Sequence, residues 1–127
     1  MKKYIYILIG LILFAGVIWL IVTPGKSGAP GKYDQFAQCL KNKGAIFYGT
    51  FWCPHCQAQK ATFGNSVKFL PYVECSTPDG QSQTQVCKDA GITSYPTWQF
   101  NANSTDRLIG ELKLETLAEK TSCVLPQ

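Results

Sequence analysis

The chain has 127 residues, 46% hydrophobic and 16% charged, with six cysteines; at roughly 100–200 residues per domain this leaves room for one domain and a short appendage, and it excludes a disordered or collagen-like chain. The formal net charge is +4, but Lys2, Lys3, Lys26 and Lys32 all precede Tyr33, and residues 33–127 carry eight basic against eight acidic side chains. Such a neutral segment lacks the localised basic footprint that phosphate neutralisation needs, which argues against nucleic acid as a partner.

Tyr4 to Val22 is an uncharged apolar run of 19 residues. A helix of that length, rising about 1.5 Å per residue, spans roughly 28 Å, close to the hydrocarbon thickness of a bilayer. Lys2 and Lys3 precede the run, and Tyr4, Tyr6 and Trp19 lie near its ends, where aromatic rings favour the membrane interface. The alternative is a cleaved signal peptide, whose apolar core is usually about 7–15 residues long. No small-x-small cleavage site directly follows the run, Ser27-Gly28-Ala29 being the nearest approach, and there is no lipoprotein cysteine. The sequence therefore predicts a single transmembrane anchor over 4–22, with residues 1–3 a cytoplasmic tail and everything from residue 23 outside. Either reading exports the remainder to an oxidising compartment, where disulfides are expected. Residues 23–32 (TPGKSGAPGK) are too rich in Gly, Pro and Ser to pack a core. They read as a flexible tether with an r.m.s. span of about 16–19 Å.

Residues 33–127 read as one domain of alternating elements. Asp34 is placed to N-cap a helix on which Phe36, Cys39 and Leu40 share a face, with Gly44 as its stop. Ala45 to Trp52 (AIFYGTFW) is continuously apolar, as expected of a central strand covered on both faces. A helix follows from Pro54 and breaks near Gly64, and Tyr72 to Cys75 is a short strand. Ser82 and Gln85 have the spacing of a capping box for a helix carrying Val86, Cys87 and Ala90 and ended by Gly91. Residues 97–100 and 107–110 form a predicted hairpin around the polar turn 101–106, and Leu114, Leu117 and Ala118 mark a last helix. The order α-β-α-β-α-β-β-α predicts an α/β fold with a parallel core and an antiparallel hairpin at its end. Phe51, Trp98 and Phe100 are expected in the core.

The sharpest chemical signal is Trp52-Cys53-Pro54-His55-Cys56. It follows the strand directly and opens a helix, so Cys53 falls at the N-cap and Pro54 at the first helical position, where a missing N–H costs nothing. Free N–H groups and the positive end of the helix dipole stabilise a thiolate there. Cys56 lies one turn further on, at a spacing that permits a reversible disulfide, and His55 adds a donor or positive charge near the thiolate. A structural disulfide has no need of a helix N-terminus, and a zinc site would need two more ligands; no metal is expected. His55 is the only histidine, and its place two residues from Cys53 is wrong for the general base of a cysteine hydrolase. Later in the chain, Ser94-Tyr95-Pro96-Thr97 precedes a strand. A proline there has no N–H to donate and marks either an ordinary or a cis turn. Trp52 and Tyr95 flank the motif, either lining an apolar groove or packing in the core. Asn103-Ser104-Thr105 matches a glycosylation sequon on the predicted turn.

The other four cysteines, Cys39, Cys75, Cys87 and Cys123, allow three pairings. Cys75 and Cys87 bracket the polar loop STPDGQSQTQV, and bridging it would contribute roughly 2–3 kcal/mol by loop closure. That pairing leaves Cys39 with Cys123, a longer loop contributing up to about 4–5 kcal/mol. Both are expected to be structural, the functional alternative being a second redox pair that relays electrons.

With WCPHC after an apolar strand, YPT before a later one and a closing hairpin and helix, residues 33–127 resemble the thioredoxin superfamily. Finer segments (FAQCLKNKGAIFYGTFWCPHCQAQK, YVECSTPDG, QTQVCKDAGITSYPTW and LAEKTSC) resemble the thioredoxin-like domain fused to vitamin K epoxide reductase homologues of bacteria and plant plastids. The resemblance implies a thioredoxin-like fold, a mixed sheet flanked by helices. It implies Cys53 as nucleophile, Cys56 as resolving cysteine and Pro96 as a cis-proline beside them. By their places beside these residues, Trp52, Pro54, Tyr95 and Thr97 are expected around the substrate groove. The resemblance also implies electron flow from folding substrates to a quinone-reducing four-helix membrane protein. In this chain a single apolar run stands in place of that four-helix part. Where thioredoxins carry a buried acid six residues before the nucleophile, this chain has Phe47.

The expected function is that of a membrane-anchored, extracytoplasmic thiol–disulfide oxidoreductase. It would oxidise exported proteins through Cys53 and Cys56, without a cofactor beyond that disulfide, and be reoxidised by a quinone-linked partner. Competing expectations are the same chemistry run as a reductase or isomerase fed by a membrane electron carrier, and a non-catalytic binding module.

Overall fold

The computed structural model describes residues 4–6, 10–14, 18, 29–101 and 105–127. The expected tail at 1–3, much of the anchor at 4–22 and most of the linker at 23–32 lie outside the described residues, as does Asn103 of the sequon. Within the anchor run, residues 4–6, 10–14 and 18 are helical. Among the described residues no helix is long and apolar enough to cross a membrane.

The domain begins with α1 (Asp34–Asn42), whose Phe36, Ala37 and Leu40 turn one buried face to the core. Tyr33, not Asp34, is the N-cap: its carbonyl accepts from Ala37 N at 2.8 Å. Asp34 instead occupies the first turn, where its carboxylate accepts from Gly31 N at 3.0 Å. The helix stops at Gly44, whose φ of 74° is open to glycine at little cost. β1 (Ile46–Gly49) follows, then α2 (Pro54–Thr62), a 3-10 turn (Gly64–Phe69), β2 (Tyr72–Glu74), α3 (Gln85–Asp89), β3 (Thr97–Gln99), β4 (Arg107–Ile109) and α4 (Leu114–Thr121).

The four strands form one sheet in the order β2-β1-β3-β4. β1 runs parallel to β2, with Phe47 opposite Tyr72 and Gly49 opposite Glu74. β3 is antiparallel to β1, Trp98 facing Phe47, and β4 is antiparallel to β3. The sheet is therefore mixed, and parallel pairing is confined to β1 and β2. Phe47 and Trp98 are fully buried and stack with their ring centroids 4.8 Å apart. Phe36 stacks on Phe63 at 6.2 Å, carrying the core under α1.

A buried amide ties the layers together. Gln59 of α2 accepts from Trp98 Nε1 at 3.3 Å and from Leu112 N at 2.7 Å, and donates to Leu112 O at 3.1 Å. Helix, sheet and the loop after β4 are thereby joined through one side chain.

Three further expectations change. β1 ends at Gly49 rather than Trp52, because the chain must turn before α2 can begin at Pro54. Phe51 falls in that turn and is 47% exposed, so it is not a core residue, whereas Trp98 and Phe100 are. The capping box does not form. Thr84 is the N-cap of α3, Ser82 is engaged with Thr77 through its N–H and its carbonyl, and Gln85 donates to Asp89 at 2.7 Å.

Cys39 of α1 is bonded to Cys123 just beyond α4, with Cα atoms 5.9 Å apart, and Cys75 is bonded to Cys87, with Cα atoms 5.5 Å apart. These links span 84 and 12 residues. Loop-closure entropy predicts that Cys39→Ala/Cys123→Ala lowers unfolding free energy by about 4–5 kcal/mol and Cys75→Ala/Cys87→Ala by about 3 kcal/mol. Urea denaturation of the two variants checks that order, and equal losses would overturn it.

Candidate active site

The turn after β1 brings the chain round so that Cys53 is the N-cap of α2, with φ −80° and ψ 119°, and Pro54 is its first residue. Cys53 N donates to Thr50 O at 3.2 Å, closing the turn. Both cysteines are free thiols. They differ in access: Cys53 retains 6% exposure, while Cys56, one turn deeper, has none. Burial pushes the Cys56 thiol up to about 12, helped by the neighbouring Cys53, while a main-chain contact from Thr50 and the Lys60 charge act in the opposite direction. At neutral pH Cys56 is a protonated thiol, and a thiolate formed on it needs help.

The far wall is the segment before β3. The Tyr95–Pro96 peptide bond is cis and Pro96 is fully buried. The Cys53 thiol faces the Tyr95 carbonyl, Sγ to O 3.9 Å. Gln83 donates to Tyr95 Oη at 2.7 Å and to Ile92 O at 2.7 Å, so the loop closed by Cys75–Cys87 is pinned to this wall. Trp52, half exposed, stands edge-on to Tyr95 with ring centroids 6.2 Å apart and donates to Ser76 Oγ at 3.0 Å. Thr50, Trp52, Ser76, Gly80, Gln83 and Tyr95 line a shallow cavity of about 170 Å³ there. Pro54 is exposed. Thr97 is 3% exposed and donates to Ser94 O at 2.7 Å, so its side chain belongs to the strand rather than to an open groove.

His55 sits at the rim with its side chain 72% exposed and pairs through Nδ1 with Glu111 Oε1 at 2.6 Å. Glu111 adjoins Leu112, which Gln59 holds. A group of three or more metal-ligating side chains is absent among the described residues.

Sequence reasoning missed several residues here. Gly49 is one: a Cβ at that position would lie 2.9 Å from Cys56 Sγ and 3.0 Å from Tyr72 Cε2. Its signal is a glycine inside a strand, which often marks a close approach. Tyr72, Glu74, Lys60 and Glu111 are the others. Tyr72 and Glu74 are two apart on a strand and so share a face, and Lys60 follows Cys56 by one helical turn.

The thioredoxin family profile matches residues 30–122. The chain belongs to the thioredoxin family. This thioredoxin domain is also 43% identical over 97 residues to the Arabidopsis thaliana protein named Thiol-disulfide oxidoreductase LTO1. That match covers 72% of the chain but only 24% of the plant protein. The thioredoxin fold explains why a four-stranded mixed sheet delivers Cys53 and the Tyr95–Pro96 bond to the same end of the molecule.

The geometry predicts which sulfur reacts first. Iodoacetamide at neutral pH should label Cys53, with Cys56 remaining silent until the pH approaches 12, where its thiol ionises. Peptide mapping by mass spectrometry checks this, and preferential labelling of Cys56 would reverse the assignment. Gly49→Ala should overpack the site, costing about 1–3 kcal/mol. Thermal melting reads that loss, and an unchanged melting temperature would contradict the close approach.

Proposed function

We propose that the chain is a membrane-tethered thiol–disulfide oxidoreductase that works outside the cytoplasm and oxidises exported proteins. The observation that carries the chemistry is the pairing of two free thiols across the first turn of α2, one at its N-terminus and one buried behind it, against the Tyr95–Pro96 wall. Family membership and the printed name of the plant relative support the same activity.

In the oxidised domain a disulfide links Cys53 and Cys56. A substrate thiolate attacks Cys53 Sγ, a mixed disulfide forms, and the electron pair of the broken bond leaves on Cys56 Sγ. The substrate's second thiolate then attacks its own sulfur in the mixed disulfide, and Cys53 leaves as a thiolate. The products are a substrate disulfide and a Cys53/Cys56 dithiol. Cys53 is the nucleophile-accepting sulfur, Cys56 the resolving one, and His55 places a donor beside them. Trp52, Pro54 and Tyr95 frame the substrate groove, while Thr97 and Pro96 shape it from beneath. The disulfide itself carries the electron pair, so no bound cofactor or metal is required.

The Cys39–Cys123 and Cys75–Cys87 bonds suit an oxidising compartment. The apolar run 4–22 supports an anchor with residues 1–3 in the cytoplasm and 23–32 as tether. The resemblance to domains fused to vitamin K epoxide reductase homologues supports a quinone-reducing membrane protein as the partner that takes two electrons and two protons from the dithiol.

The reading predicts a reduction potential for Cys53–Cys56 on the oxidising side, near or above about −180 mV. The oxidised chain should convert a reduced, unfolded two-cysteine protein to its disulfide, Cys53→Ser should abolish this, and Cys56→Ser should accumulate the mixed disulfide. A potential near the −270 mV of thioredoxin would overturn the direction. Activity retained by Cys53→Ser would overturn the mechanism.

A further inference from the structure

The resolving thiol needs somewhere to exchange its proton, and Phe47 fills the place of the buried acid. Phe47 is fully buried and stacked on Trp98, so it offers nothing. Around Cys56 the structure gathers another set of groups. Lys60 lies one turn along α2 from Cys56, and its Nζ sits 3.3 Å from the centroid of the Tyr72 ring. That ring and Cys56 Sγ both come within 3.0 Å of the point where a Gly49 Cβ would stand, so sulfur and ring are neighbours separated by a glycine. Tyr72 donates through its hydroxyl to Glu74 Oε2 at 2.6 Å. Glu74 Oε1 in turn accepts from Phe51 N at 3.2 Å and Ser76 N at 2.9 Å, which fixes the carboxylate. From α2 the titratable groups facing Cys56 are Cys53 and Lys60; from β2 it is Tyr72, with Glu74 behind it on the Tyr72 hydroxyl.

We propose that Lys60, seated on the Tyr72 ring and held there by the charge of Glu74, is the group that exchanges a proton with Cys56 during disulfide transfer. The inference rests on the oxidoreductase reading above and adds the proton route it lacks. When a thiolate attacks Cys53 Sγ, the Cys53–Cys56 bond breaks and its electron pair goes to Cys56 Sγ. The Lys60 ammonium, whose charge reaches Cys56 from one helical turn away, gives that sulfur a proton through an intervening water, leaving a thiol and a neutral amine. Lys60 is only partly buried and recovers its proton from water. In the reverse direction the amine takes the Cys56 proton as the sulfur attacks. Burial lowers Lys60 below its ordinary 10.5, although Glu74 and Cys56 partly offset this, and burial raises Cys56 to about 12, so transfer from ammonium to thiolate runs downhill. Glu74 touches no sulfur in this arrangement and acts as a positioning residue through Tyr72 and Lys60.

The test is single-turnover reduction of the oxidised full chain by a small monothiol, glutathione, followed by acid quench and mass spectrometry from pH 6 to 10. The variants are Lys60→Met and Lys60→Arg, each with a thermal melt to confirm folding. With the rate corrected for the thiolate fraction of glutathione, wild type should fall toward the alkaline end as Lys60, lowered from its ordinary 10.5, deprotonates, and both variants should be flat. Both should be slower at neutral pH on the order of a hundredfold, the usual worth of a positioned acid. Arginine keeps the charge but holds its proton, so a full rate in Lys60→Arg would overturn proton exchange in favour of charge alone. A wild-type rate and pH profile in Lys60→Met would overturn the inference and leave the oxidoreductase reading standing. If wild type itself fails to react with glutathione, that reading fails first.

Discussion

The Gln59 amide is the contact on which the site depends. It is fully buried, its oxygen receives the Trp98 indole and the Leu112 amide, and its nitrogen gives to the Leu112 carbonyl. A buried amide that loses such partners suffers the full desolvation penalty, about 1–3 kcal/mol per orphaned group. α2 is therefore held against rotation about its axis, and rotation is what would matter most. Cys56 lies three residues before Gln59 on the same helix, so the amide that fixes one also aims the other at Gly49. The same bond to Leu112 sets the loop from which Glu111 reaches His55.

Polarity around the two cysteines is divided by this arrangement. On the solvent side stand His55 and Glu111, paired with each other and both well exposed. On the interior side stand Lys60, Tyr72 and Glu74, where burial raises the cost of charge for the tyrosine and for the lysine alike. Cys53 lies at the boundary. The asymmetry matches the division of labour in disulfide exchange, in which one sulfur must meet an incoming chain and the other must be reached only from behind.

Much of this was legible in the sequence, and the gaps have physical causes. Local signals worked where one segment suffices: Pro54 after Cys53 marked a helix start, and Gly44 marked a stop. The apolar run 45–52 concealed its own end, because hydrophobicity does not say which apolar residue the turn will expose, and Phe51 was expected inside for that reason. Ser82 and Gln85 had capping-box spacing, yet the Thr77–Ser82 turn claimed the serine first. The direction of β3 could not be read from β-α-β order, since pairing against β1 is decided by contacts distant in the chain. The Lys60–Tyr72–Glu74 group was hidden on the same account: it exists only once β2 lies beside β1 and puts Glu74 opposite Gly49. The two cysteine pairings illustrate the opposite case, where bracketing of a polar loop was enough to suggest partners that the structure joins.

The bond between Cys39 and Cys123 fastens α1 to the residues that follow α4, so the first and last helices of the domain are one covalent body. Chain ends ordinarily fray independently and open with the lowest free energies in a fold. Here neither end can peel away alone: unravelling α1 drags the C-terminal segment with it, and loss of α4 pulls on α1. Amide protons of the two helices, far apart in sequence, are thereby placed in a single cooperative unit for hydrogen exchange. Reduction of that one bond would split the unit in two.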